Sequence, residues 1–79
     1  MARYSFDVTR NNKQFHRDLI GTELVDDDTA WIEAMRWVRE TGGVLSPGDN
    51  WRLTVRRDDI RIVFRIEIKS TAWLGRRKT

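Results

Sequence analysis

Ile60-Arg61-Ile62-Val63-Phe64-Arg65-Ile66-Glu67-Ile68-Lys69 is the most regular stretch of the 79-residue chain, and its period is two. Ile60, Ile62, Phe64, Ile66 and Ile68 take alternate positions, with Arg61, Val63, Arg65, Glu67 and Lys69 between them. Successive side chains of a strand point to opposite faces, so the pattern predicts one apolar and one charged face. Such a strand needs cover on one side only, which favours an antiparallel sheet with its other face open to solvent.

The same period recurs upstream. Trp51, Leu53 and Val55 alternate with Arg52, Thr54 and Arg56, and Arg57-Asp58-Asp59 reads as the turn into the last strand. At the other end of the chain Tyr4, Phe6 and Val8 alternate with Arg3, Ser5, Asp7 and Thr9. Asn tolerates positive φ, so Asn11-Asn12 predicts a tight hairpin. The strand that follows, Gln14 to Leu19, is weaker, and Phe15 is its one clear inward residue. Gly21 breaks the pattern and Thr22 to Val25 reads as a connector.

Between the two strand pairs the period changes. Ala30, Trp31, Ala34, Met35 and Val38 fall on one side at helical spacing, with Trp37 at its margin and Glu33, Arg36, Arg39 and Glu40 opposite. Asp26, Asp27 and Asp28 supply an N-cap and negative charge for the positive end of the helix dipole, and Gly42-Gly43 supplies the stop. Ile32 lies among the polar residues and is expected to be partly exposed. The order is ββαββ: an α+β fold, four antiparallel strands with one helix packed on one face. Residues 1–69 form this single domain, and residues 70–79 a basic C-terminal tail, partly disordered.

Alternation also sorts the charges. Arg3, Ser5, Asp7, Arg52, Thr54, Arg56, Arg61, Val63, Arg65, Glu67 and Lys69 share the uncovered face, six of them basic and two acidic, whereas every strand aromatic turns toward the helix. Arg3, Arg52, Arg56, Arg61, Arg65 and Lys69, joined by Arg76, Arg77 and Lys78 of the tail, are the candidate anion or nucleic-acid contacts. The plainer reading, a solvated face whose long basic side chains discourage edge pairing, carries more weight. Single-strand binders place aromatics on the open face for base stacking, and none is expected there.

Composition removes other classes. There is no cysteine, hence no disulfide, thiolate metal site or cysteine nucleophile. No apolar run is long enough to span a bilayer, and the N-terminus lacks the apolar core of a targeting signal, so a cytoplasmic protein with no membrane partner is expected. The net charge of +3 leans weakly toward anionic partners. Asp26-Asp27-Asp28 is read as a helix cap in preference to a hard-cation site, because the spacing of a calcium loop is missing. His16, the sole histidine, has Asp18 two residues on but no nucleophile fixed nearby. Neither glycine pair has the Gly-Lys-Ser/Thr of a phosphate loop. The residues therefore point to a non-enzymatic chain with no catalytic set, no metal and no cofactor. Ile32, Trp73 and Leu74 are the candidate protein contacts, and a protein partner or a second copy is the expected occupant, with nucleic acid the alternative.

Arg3-Tyr4-Ser5-Phe6-Asp7 and Asp18-Leu19-Ile20-Gly21-Thr22-Glu23-Leu24 carry a resemblance. The chain, to about Lys69, looks like a family of small bacterial domains of unknown function. Members open with an Arg-Tyr-x-Phe-Asp strand and continue with an Asp-x-x-Gly-x-Glu-Leu connector, an alanine-containing helix and two more strands. Asn11-Asn12 stands where that family favours Asp-Gly, and Val25 where proline is common. The resemblance implies a fold and carries no activity or site residues. The ββα start also resembles HicB-type antitoxins, although their Pro-Asp-Leu-Pro-Gly segment is absent.

Overall fold

A computed structural model describes residues 1–43, 45–58 and 60–71. The elements are β1 (Ala2–Arg10), β2 (Lys13–His16), β3 (Thr22–Leu24), α1 (Asp27–Gly42), β4 (Asn50–Arg57) and β5 (Arg61–Lys69). One antiparallel sheet runs in the order β2-β1-β4-β5, and β3 also pairs with β1. The α+β reading holds, with one strand more than expected: the presumed connector Thr22–Leu24 pairs with Ala2–Tyr4, so β2 and β3 lie end to end along the same margin of β1.

The hairpin between β1 and β2 turns through Asn11 (φ 53°) and Asn12 (φ 68°), the two left-handed residues that a primed turn requires. The helix starts where the aspartates placed it. Asp26 is extended and accepts from the Thr29 amide at 2.8 Å, with Asp27 and Asp28 in the first turn. It ends at Gly42 with Gly43 as its cap, where the glycine pair placed the stop, and Gly43 is right-handed at φ −76°. No helix among the described residues is long and apolar enough to cross a membrane.

The core is Tyr4, Val8, Trp51, Leu53 and Val55 from the sheet against Ala30 and Ala34 of α1. Small alanines at this contact let the helix approach closely, and the larger rings fill the flanks. Trp31 meets Phe64 edge-on at 5.1 Å and Trp37 meets Trp51 at 6.4 Å. Phe6 lines the groove beside the helix, so the strand aromatics do lie on the covered side. Ile32 is 62% exposed, as its position among polar residues implied.

Two irregularities alter the burial that strict alternation predicts. Val8 pairs with His16 and Thr9 with Gln14, which leaves Phe15 as the extra residue of a bulge. Phe15 packs edge-on against Trp51 at 5.0 Å yet stays 62% exposed, so it is a rim residue and not an inward one. On the other margin Val55 pairs with Phe64 but Arg56 with Ile62, which skips Val63. Val63, expected on the open face, packs against the core, while Ile60 and Ile62 are 86% and 47% exposed.

Candidate functional site

The open face is less bare than its charge count implies. Arg56 pairs with Asp7 across β4 and β1. Arg52 reaches Glu67 at 2.8 Å, and Arg3 reaches Glu23 at 3.2 Å while also donating to the Ile20 carbonyl at 2.8 Å. Arg65 donates through Nε to the Thr54 hydroxyl at 3.1 Å. Ser5 and Thr54, which alternation assigns to solvent, are buried on this face, an effect long arginine stems produce when they lie along a sheet. Lys69 is exposed opposite Asn50, but Arg61 is not on this face: it pairs with Arg57, which pairs with the buried Tyr4, so the bulge at Val63 turns Arg61 to the helix side and sets Ile62 opposite Arg56 on the open face. A hollow of about 240 Å³ among Arg17, Arg52, Arg56 and Arg65, floored by Thr54 and Asp7, is the most basic concavity here. Arg17 was not among the candidates; the strand expected to hold it, Gln14 to Leu19, ends at His16.

On the margin carrying β2 and β3, the gap between those strands is filled by a side chain. Between the two short strands the chain leaves the ladder, and Asp18 replaces the missing strand. Its carboxylate accepts from the amides of Phe6 (3.1 Å), Ile20 (3.3 Å) and Gly21 (2.9 Å), and its own amide donates to Asp7 Oδ1 at 2.9 Å. Burial pushes the Asp18 carboxyl up, but the three amide donors outweigh it and hold the group below the usual carboxylate value. Gly21 sits at φ +79°, and a Cβ there would lie 2.8 Å from Arg3 Cγ and 3.0 Å from the Tyr4 carbonyl. The two sequence motifs thus meet here: Arg3 holds Glu23, and Asp7 and Phe6 hold Asp18. Tyr4 donates its hydroxyl to Asp27 at 2.5 Å, a bond that raises the phenol above its ordinary value.

Asp18 is engaged by backbone amides, and His16 lies exposed on the rim of an apolar groove of about 490 Å³. Phe6, Val8, Leu53, Phe15 and Trp37 line that groove. Asp26 caps the helix, and Asp27 is shared by Tyr4 and by Arg57 at 3.1 Å, so two of the three consecutive aspartates have structural bonds. Among the described residues no three His, Asp or Glu side chains are grouped to hold a metal.

The opposite margin is different in kind. β5 spans nine residues, and among the described residues no strand lies beyond it. The Ser70 amide donates to the Asp49 carbonyl at 2.9 Å and the Ser70 carbonyl accepts from Gly48, so its backbone polar groups turn inward toward the start of β4. By alternation the N–H and C=O groups of Lys69, Glu67 and Arg65 turn outward. Exposed Ile60 and Ile62 and the half-exposed Trp31, stacked on Phe64, flank this edge. Ile32, on the same helix as Trp31, is the contact the sequence suggests; the two isoleucines carry no such signal, because Ile60 lies in the turn before β5 and Ile62 is turned out by the bulge at Val63. Trp73, Leu74, Arg76, Arg77 and Lys78 lie outside the described residues.

A family model described as a domain of unknown function (DUF6894) matches residues 3–69. No curated protein and no solved structure matches the chain.

Proposed function

The chain belongs to the family of domains of unknown function DUF6894, and from that premise we propose that it is a non-enzymatic protein-interaction module that takes an extended segment of another chain onto the outer edge of β5. The observation that carries the reading is the contrast at β5: a nine-residue strand with outward backbone groups at Arg65, Glu67 and Lys69 and an apolar flank, in a domain whose other margin consists of two short strands with Asp18 bonded to β1 between them. Unpaired edges of this length are templates for strand addition, in which main-chain bonds give affinity and alternate side chains give specificity. The polar groups that resemble catalytic partners in the sequence are held in structural bonds, which supports the non-enzymatic half of the proposal.

Selection of a displayed random nonapeptide library on the purified domain tests this. Enriched peptides are expected to alternate apolar and polar residues and to lose binding to Arg65→Pro. Proline there removes an outward N–H and no ladder bond, so the fold is retained. Lys69→Pro serves the same purpose if the first variant does not fold. Absence of enrichment, or equal binding to a folded proline variant, overturns the proposal.

A second reading rests on the arginine-lined hollow around Thr54: a surface for nucleic-acid phosphates. Against it, Arg3, Arg52 and Arg56 already face carboxylates. Polarisation assays with single-stranded DNA and RNA at low salt decide it. Binding with a salt slope that falls by about 0.7 per phosphate contact removed supports this reading, and no binding ends it.

A further inference from the structure

The geometry points to a second copy of the same chain as the segment that β5 accepts, in one defined antiparallel register centred on Ile66. This deepens the strand-addition reading above and rests on it. Antiparallel pairing of β5 with itself requires a two-fold axis normal to the sheet, which keeps both helices on one face and doubles the four-strand path β2-β1-β4-β5. Directly opposite residues must share a face, so the axis passes through one residue pair, and charge together with ladder length chooses among the options: an axis at Ile68 also opposes unlike charges, Glu67 and Lys69, but pairs only the last three residues of β5.

An axis at Arg65 sets Arg65 against itself. An axis at Glu67 sets Glu67 against itself and Arg65 against Lys69. Both oppose like charges. An axis at Phe64 brings Arg61 to Glu67 but runs the ladder through the bulge at Val63, where pairing is already broken. An axis at Ile66 sets Arg65 against Glu67 twice, by symmetry, and Phe64 against Ile68 on the helix side, along the regular part of the strand. Arg65 and Glu67 are also residues whose backbone groups turn outward, so the charge pair coincides with the pair that exchanges main-chain bonds. Arg52 uses Oε2 of Glu67, and Oε1 has no bond among the described residues, so it is placed for the partner copy's guanidinium. The half-exposed Trp31, resting on Phe64, extends the apolar side of the contact.

The chain has no cysteine, so one introduced thiol gives a single spin-label site. In the Ile66 register, at roughly 3.4 Å per residue and with the bulge residue Val63 not counted, the two Lys69 positions are about 20 Å apart and the two Arg61 positions about 27 Å apart along the strands. The Phe64 register reverses that order. Sedimentation equilibrium is expected to give a dimer for the full chain, a monomer for Glu67→Arg, and a dimer again for Arg65→Glu combined with Glu67→Arg. Dipolar spectroscopy on Lys69→Cys and Arg61→Cys chains is expected to place the shorter distance at position 69. A wild-type chain that stays monomeric at NMR concentrations, or a dimer with the longer distance at 69, overturns the inference. If the peptide selection succeeds while the chain stays monomeric, strand addition stands and self-pairing falls. If neither occurs, both fall.

Discussion

The two margins of this sheet solve the same problem in opposite ways. An outer strand leaves a row of backbone donors and acceptors without partners. At the β2/β3 margin the protein uses short strands, a bulge at Phe15 and the carboxylate of Asp18, which takes three amides from its own chain. At the β5 margin it keeps nine consecutive residues in strand, with one bulge at the far end and basic residues on one face. The first margin spends its polar residues on intramolecular bonds, while among the described residues the outward groups of the second have no strand beside them. Under the proposed strand addition, short strands at one edge and a long one at the other limit where a second chain can add.

The comparison breaks most sharply at Asp18. Replacement by alanine leaves the Phe6 and Gly21 amides without their acceptor in a partly buried site and is expected to cost about 3 kcal/mol, read by urea denaturation. The equivalent test on the other margin, Lys69→Ala, is expected to change stability by less than about 0.5 kcal/mol, because the side chain is exposed. Equal costs would show that the margins do not differ as described.

Gly21→Ala is expected to cost about 2 kcal/mol, since alanine must hold a positive φ while its Cβ presses on Arg3 and the Tyr4 carbonyl. Part of that cost should vanish in an Arg3→Ala background, where the flexible contact is gone and the carbonyl contact remains.

Acid sharpens the contrast further. Asp18, Asp26 and Asp49 are all held below the ordinary carboxylate value: Asp18 by its three amides against burial, Asp26 by the Thr29 hydroxyl and amide, and Asp49 by the Ser46 amide and then Arg10. A carboxyl with a lowered folded-state pKa adds stability above its unfolded value, roughly pH 4, and loses it as pH falls through the folded value. Stability is therefore expected to decline below pH 4, and Asp18→Asn to flatten part of that decline, as followed by thermal melts across pH.

The smallest effect is kinetic. The Phe6 amide, bonded to Asp18, is expected to exchange with solvent more slowly than the outward amides of Arg65, Glu67 and Lys69 in the monomer. Those three should become protected only when a second strand is bound. Hydrogen exchange followed by NMR at two protein concentrations reads both statements.

Much of this was legible in the residues. Period two named β1, β4 and β5, and helical spacing named α1, because each element buries one face and the pattern records it. The Asp26 cap and the Asn11-Asn12 turn follow from local chemistry that needs no distant partner. The expectations that failed have a common cause. Phe15 and Val63 sit at bulges, where one strand carries a residue its partner does not match, and such a slip is a property of the pair and not of either sequence. Thr22–Leu24 is too short to show a period, and becomes a strand only because β1 offers it an edge.

The sequence by itself determined which faces are apolar, where the helix starts and that no thiol chemistry is present. Tertiary structure alone decided that Asp18 is a structural bridge, that most arginines of the open face already hold acceptors, and that β5 lies at the outside of the sheet. The physical reason is range. Burial periodicity is written into neighbours along the chain, whereas strand order and charge pairing join residues such as Phe6 and Asp18, or Asp7 and Arg56, that only folding brings together.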